Sequence, residues 1–497
     1  MRDWYKDRVF YQVWPRAFRD GDGDGVGDLE GVIQALDYLQ SLGVGAIWFS
    51  PFFASPQVDF GYDVSDYCAV APEYGDLATF DRLVAACRKR DIKILLDLVL
   101  NHTSDQHTWF QQSRRDPTGP YGDYYIWRAP RGTDAQGDPL PPNNWESIFG
   151  GPAWTYDEAR GEFYLHVFAK EQPDLNYDNP AVRAKMARVM EFWTERGADG
   201  FRFDAVNCIS KPEDLPDDPD VCAPIKGLNL YKDGPRMREY LLEMRQALLA
   251  ANPDAIVVGE AAEATTAYAL DLCAPGPEQV FDMVFTFEHM TCDCGVNDYD
   301  PRPFSLPALA SCLGRWQTDL HGRAWNALYL ENHDHPRSVN RFGNPADPLL
   351  REKSAEALAV SYLFLEGTPF IYQGQELGTV NWEPADPGAY QDVDTRRQYV
   401  RLLAELGPQG TLERLHRSSR EGARAPLPWS DQATTWPGQV SPEHPAAEKP
   451  SGATGTQPTQ PLSPASFGGV LDFYRRAVAL RQSLPAVRHG VYRPLAE

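Results

Sequence analysis

Apolar segments of five to eight residues, each closed by turn chemistry, recur in a fixed order along this chain: VFYQVW (9–14), AIWFS (46–50), IKILLDLV (92–99), GFRFDA (200–205), AIVVGE (255–260), DMVFTF (282–287), ALYLEN (327–332) and PFIYQG (369–374). Runs of that length, nearly continuous in hydrophobicity, read as strands buried on both faces. Between them the apolar spacing changes to that of a helix, in LEGVIQALDYLQSLG (29–43), TFDRLVAACRKRD (79–91), AVRAKMARVMEFWTERG (181–197), MREYLLEMRQALLA (237–250) and REKSAEALAVSYLFLEG (351–367). Several end on glycine, the residue that closes helices in left-handed backbone. Eight strands alternating with helices predict an α/β fold, a (β/α)8 TIM barrel, over a doubly wound sheet.

Two stretches break the alternation. The third strand is followed by residues 103–178, rich in Asp, Gly, Pro, Tyr and Trp, with one strand-like segment, EFYLHVF (162–168). A structureless loop of that size does not suit a compact domain, so it reads as a subdomain inserted over the barrel top. The barrel is then residues 1–102 and 179–488. Within its second part, residues 431–466 are dense in Pro, Thr, Ser, Gln and Gly and predict a disordered excursion before a last helix, VLDFYRRAVALRQSL (470–484).

Composition narrows the function. A chain of 497 residues with 42% hydrophobic and 24% charged residues buries a large core. A formal charge of −23 argues against nucleic acid or an anionic membrane as partner and favours a neutral substrate. The N-terminal MRDWYKDRVFYQVWPR lacks an apolar signal segment, and no run of 18 apolar residues occurs, which predicts a soluble, cytoplasmic protein. Eight cysteines without a paired C-x-x-C spacing argue against a disulfide framework, and CDC at 292–294 is a weak metal signal.

The chemistry lies at strand ends. Arg202 and Asp204 are two apart and share one side of a strand, so a guanidinium stands beside a carboxylate and favours its charged form. Glu260 closes IVVGE, an apolar setting suited to a protonated carboxyl, and Asp334 closes LYLENHD. Acidic groups at the C-terminal ends of several strands are what a barrel needs to build an active site on its top face.

The segments DLVLNH (97–102), GFRFDAVN (200–207), VVGEA (257–261) and ENHD (331–334) resemble the four signature regions of the α-amylase family of glycoside hydrolases. QPDLN (172–176) resembles a fifth, as found in its oligo-1,6-glucosidase and α-glucosidase subfamily. The resemblance implies Asp204 as nucleophile, Glu260 as general acid/base and Asp334 as transition-state stabiliser. It further implies that Tyr62, His102, Arg202, His333 and Arg337 bind the non-reducing glucose. Asp59, and Arg424 in GARAPLPW (422–429), resemble the acid–base pair that closes the pocket of exo-acting members.

DGDGDGVGD (20–28) sets Asp20, Asp22, Asp24 and Asp28 among glycines, with oxygen clustering that suits Ca²⁺. Within the family it resembles the structural calcium loop after the first strand, with Val26 offering its carbonyl. The resemblance therefore implies a retaining, exo-acting α-glucosidase for small α-glucosides, with oligo-1,6-glucosidase specificity or a glucosyl transferase such as trehalose synthase as alternatives. A silent binding module of the kind found in transporter heavy chains would lack the carboxylates. Ala205 stands where α-1,6-preferring members tend to have Val, which leans the expectation to α-1,4 bonds. The family's C-terminal β domain is expected to be missing, with only its start at 489–497. The oligomeric state is left open.

Overall fold

The computed structural model describes residues 2–429 and 468–494. The expected excursion at 431–466 lies outside the described residues. One parallel sheet contains β1 Phe10–Val13, β2 Ala46–Phe49, β3 Lys93–Val99, β4 Gly200–Asp204, β5 Ile256–Glu260, β6 Met283–Phe285, β7 Ala327–Leu328 and β8 Thr368–Tyr372. Its hydrogen-bonded order, β6-β5-β4-β3-β2-β1-β8-β7, is that of a (β/α)8 barrel with one seam between β6 and β7. β7 is shorter than the apolar run ALYLEN. At the seam, side chains take over the backbone ladder: Tyr329 Oη donates to the Thr286 carbonyl and a His289 ring nitrogen contacts the Tyr329 carbonyl, both at 2.8 Å.

A helix follows each strand: α1 Leu29–Leu42, α2 Leu77–Arg88, α3 Pro180–Arg196, α4 Met237–Ala251, α5 Thr266–Cys273, α6 Leu306–Leu320, α7 Pro348–Leu363 and α8 Gly468–Ser483. Asp28 caps α1 by accepting the Gly31 N–H at 2.6 Å, and α1 stops at Gly43, whose φ of 89° is glycine territory. The barrel's interior is aromatic and aliphatic: Phe10, Trp48, Leu95, Ile256, Val258, Phe285 and Phe370 pack as one buried cluster.

Residues 103–178 carry the helix Thr108–Arg115 and a three-stranded antiparallel sheet in the order Trp127–Arg128, Glu162–Leu165, Trp154–Asp157. EFYLHVF is a strand only as far as Leu165. This sheet has its own core, in which Trp145, Trp154 and Leu165 meet Cys208 and Tyr231 from the loop after β4. A second excursion, not anticipated from the sequence, follows β8: the helix Val393–Ser418, broken where Gly407 (φ 68°) precedes Pro408. Its Arg397 donates to the Gly150 carbonyl at 3.3 Å, so the two excursions meet over the barrel mouth.

The chain from α8 continues into the short helix Pro485–His489 and shows no strand through Pro494. All eight cysteines are thiols. Among the described residues, no helix is long and apolar enough to cross a membrane.

Candidate active site

Strand alternation places the first part of the site. Arg202 and Asp204 share a face of β4, and β3 lies in register so that Arg202 is opposite Asp97. The Arg202 guanidinium donates through Nη1 to Asp97 Oδ1 at 2.8 Å and Asp204 Oδ1 at 2.5 Å, and its Nη2 meets Glu260 Oε1 at 2.5 Å. One buried cation thus serves three carboxyls on three adjacent strands. Full ionisation of all three would leave excess negative charge in a water-poor place. Burial pushes Asp97 up to about 6 against the pull of Arg202. Burial pushes Asp204 well above the usual carboxylate range as well, with Glu260, Asp97 and Asp334 adding to it. Arg202 pulls the other way and favours ionised Asp204, as its position two residues before Asp204 predicts.

Ala205, immediately after Asp204, has φ 44° and ψ 43°, left-handed backbone that costs a non-glycine residue about 1 kcal/mol. That turn directs its N–H to Glu260 Oε2 at 3.0 Å. Both oxygens of Glu260 are therefore held, one by Arg202 and one by the backbone of the residue that follows Asp204.

Asp334 belongs to a second network on the opposite wall. The Gln12 amide donates to His333 Nδ1 at 2.7 Å, which leaves Nε2 as the N–H facing Asp334 Oδ2 at 3.0 Å. Tyr62 stacks on the His333 ring, 5.3 Å between centroids, and its hydroxyl bonds Asp97 Oδ2 at 3.1 Å, which ties this wall to the Arg202 set. Burial lowers His333 to about 4 and His102 to about 3, so both imidazoles are neutral at pH 7. Burial works to raise Asp334, but the His333 N–H and the guanidiniums of Arg420 and Arg424 hold it well below the usual range.

Arg420 is a residue of this cluster that the sequence reading missed. Its Nη2 meets Asp59 Oδ1 at 2.9 Å, its Nη1 donates to Asp334 Oδ1 at 2.8 Å and its Nε to Asp392 Oδ1 at 2.9 Å. Arg424, the expected partner of Asp59, lies instead on Asp334 Oδ1 at 3.0 Å and Asp392 Oδ1 at 2.9 Å, with its plane over Trp14 at 4.6 Å. The two arginines are four apart across the short turn Arg420–Arg424, which is the signal that could have found the pair. Asp59 Oδ2 accepts from Gln172, and the same amide lies 3.1 Å from His102 Nε2, so QPDLN reaches the pocket through its glutamine.

Arg337 is removed from the substrate-binding set. It is buried, bonded to Glu331 Oε1 at 3.1 Å and to the carbonyls of Gln373 and Ala423 at 2.7 and 2.9 Å. At the DGDGDGVGD loop, Asp20, Asp22 and Asp28 bring carboxylate oxygens within 4.8 Å of one another, the one such cluster of potential ligands among the described residues. These hard oxygen donors fit Ca²⁺. Asp24 stands outside the trio and accepts the Val26 N–H at 2.7 Å instead. Cys292 and Cys294 join no metal-binding cluster among the described residues.

The profile of the α-amylase catalytic domain matches residues 12–490. The chain belongs to the α-amylase family. It is a glycoside hydrolase of that family, similar over 99% of its length, at 39% identity, to an oligo-1,6-glucosidase of Parageobacillus thermoglucosidasius, of which it covers 86%. It is 41% identical over 86% of its length to the trehalose-6-phosphate hydrolase of Bacillus subtilis, covering 74% of that protein. The structure superposes on the trehalulose synthase of Pseudomonas mesoacidophila with a TM-score of 0.86 at 35% identity, over 99% of this chain and 86% of the other. Members of this α-amylase family group thus share one barrel while differing in the bond they make or break, so the reaction must be argued from the site.

Proposed function

We propose that this α-amylase family member is a retaining, exo-acting α-glucosidase for short oligosaccharides, with α-1,4 bonds preferred. The observation that carries it is the shared cation: Asp204 and Glu260 both reach one guanidinium and are bridged again through the Ala205 N–H. That closeness suits direct attack by a carboxylate better than attack by an interposed water. Asp204 adds to the anomeric carbon as Glu260 passes its proton to the departing oxygen. Glu260, now ionised, then takes a proton from the water that breaks the glucosyl–Asp204 ester. Asp334, held ionised, faces the positive charge that develops on the sugar ring.

Exo action is supported by the closed wall of Asp59, Arg420 and Asp334, backed by Phe149 beneath the Arg420 plane at 5.4 Å. A terminal hydroxyl is received there by charged groups that an extended chain would leave without partners. The α-1,4 lean rests on Ala205, whose small side chain adjoins the nucleophile; the relative named oligo-1,6-glucosidase keeps α-1,6 specificity as the second reading. We also propose Ca²⁺ at Asp20, Asp22 and Asp28. The loop runs into the cap of α1, so the ion would brace the barrel and take no part in the chemistry. The test is parallel rates on maltose, isomaltose, sucrose and trehalose, with the first-formed glucose anomer followed by NMR. Release of β-glucose would overturn retention, and trehalose formed from maltose would favour isomerisation.

A further inference from the structure

The two walls of the pocket differ in charge, and the difference bears on the leaving group. Asp59, Tyr62, His102, His333, Asp334 and Arg420 enclose one sugar from the ends of β2, β3, β7 and β8. Glu260, which protonates the leaving oxygen in the proposed reaction, comes from β5, so the departing group lies against the loops after β4, β5 and β6. Those loops, residues 205–236, 261–265 and 286–305, carry eleven acidic and five basic residues.

The cations of that wall are already engaged. Lys211 is buried against Asp174 Oδ2 at 2.6 Å, Lys232 meets Glu263 Oε1 at 2.7 Å, and Arg302 meets Asp300 Oδ2 at 2.7 Å. Arg236 bonds Asp178 and Glu239, and Lys226 Nζ donates to the Asp220 carbonyl. Arg341, which packs against the wall from the loop after β7, is taken by Asp293 and the Met290 carbonyl. Asp298 is exposed, has the Cys294 thiol at 3.8 Å as its hydrogen-bond partner, and lies in the field of Arg341, which is already committed to Asp293, and of the Asp293 and Asp334 carboxylates. A phosphate brought here would lose hydration, find each of these cations committed and meet like charge.

Resting on the glucosidase reading, we infer that this chain accepts uncharged leaving sugars and rejects phosphorylated ones, unlike its trehalose-6-phosphate hydrolase relative. The residues that set this are Glu263, which neutralises Lys232, and Asp298. The experiment compares maltose with maltose phosphorylated at C6 of its reducing glucose, at low and high salt. Expected is a kcat/KM at least 100-fold lower for the phosphorylated sugar at low salt, with the gap narrowing as salt screens the wall. Glu263→Gln, which releases Lys232, should raise the phosphorylated-to-neutral ratio several-fold. A wild-type ratio within tenfold of unity, or a preference for the phosphorylated sugar, overturns the inference and leaves the glucosidase reading intact. Failure on every neutral disaccharide overturns the glucosidase reading. In that case calorimetry with glucose and glucose 6-phosphate decides the charge selectivity, and tighter binding of glucose 6-phosphate overturns it.

Discussion

Arg420 joins Asp59 to Asp334 through two different guanidinium nitrogens, at 2.9 and 2.8 Å. It thereby couples the wall proposed to receive the end of the sugar to the carboxylate assigned the stabilising role in the proposed reaction. Arg424 reaches only the second of these two through a hydrogen bond, so the arginines are not equivalent although both lie on Asp392.

Arg420→Gln should therefore weaken recognition of the chain end while the catalytic pair remains in place. The expected outcome is a KM for maltose at least tenfold higher, a smaller loss of kcat, and relatively better cleavage of longer malto-oligosaccharides. Steady-state kinetics on maltose and maltoheptaose check this. A change confined to kcat would show that Arg420 acts through Asp334 alone.

The barrel was legible in the sequence because each strand is buried on both faces and so reads as an unbroken apolar run. The strand-end carboxylates were legible because they terminate those runs. What escaped lies on excursions whose placement is tertiary. Arg420 sits in a turn after a helix broken at Gly407, where no local period marks its direction. Arg337 was misread for the complementary reason: it follows the Asn-His-Asp segment closely, yet its side chain turns inward to Glu331 and two carbonyls. For Asp204, spacing reveals the neighbouring cation and not the burial that opposes it.

Asp204→Asn should abolish glucoside hydrolysis, by roughly 10⁴-fold, because the amide keeps the volume but cannot attack the anomeric carbon. Glu260→Gln should spare aryl glucosides with good leaving groups far more than maltose. Comparison of p-nitrophenyl α-glucoside with maltose in both variants separates the roles, and equal losses on the two substrates in Glu260→Gln would reverse the assignment.

Glu421 gives a signed pH dependence. It is buried and accepts backbone N–H groups of Gln391 and Asp392, and burial with the nearby Asp392 charge raises it to about 7. Its folded value exceeds its unfolded one, so the native state binds the extra proton. The stability it contributes is present below the unfolded value and is lost as pH rises toward 7. The magnitude is on the order of 3 kcal/mol. Glu421→Gln should flatten the fall in melting temperature between about pH 4.5 and 7, with part of the slope remaining because Asp63 is also raised to about 7. An unchanged slope in the variant would remove Glu421 as its source.

Calcium at the Asp20, Asp22, Asp28 cluster should act on stability and not on the reaction. Adding Ca²⁺ to metal-stripped protein at 100 times its dissociation constant should stabilise the fold by about 2.7 kcal/mol. Asp22→Asn should lose most of the resulting rise in melting temperature, while kcat at low temperature stays within twofold. Asp24→Asn should keep the rise, since its carboxylate stands outside the trio. No shift on adding Ca²⁺ would sink the site.

Ala205 is where stability and linkage preference meet. Its left-handed backbone, φ 44°, is tolerated by a small side chain and opposed by a branched one, because the branched Cβ crowds the following carbonyl. Ala205→Val should lower the melting temperature by a few degrees, in keeping with a cost of about 1 kcal/mol. The added methyl groups also narrow the space beside the nucleophile where the leaving sugar sits. The ratio of isomaltose to maltose hydrolysis should then rise, by an amount corresponding to about 1 to 3 kcal/mol for a contact of this size. Rates on both sugars, measured below the melting transition of the variant, separate the two effects. A wild-type enzyme that already prefers isomaltose would refute the role given to Ala205, and a valine variant with an unchanged ratio would confine this position to the turn that aims its N–H at Glu260.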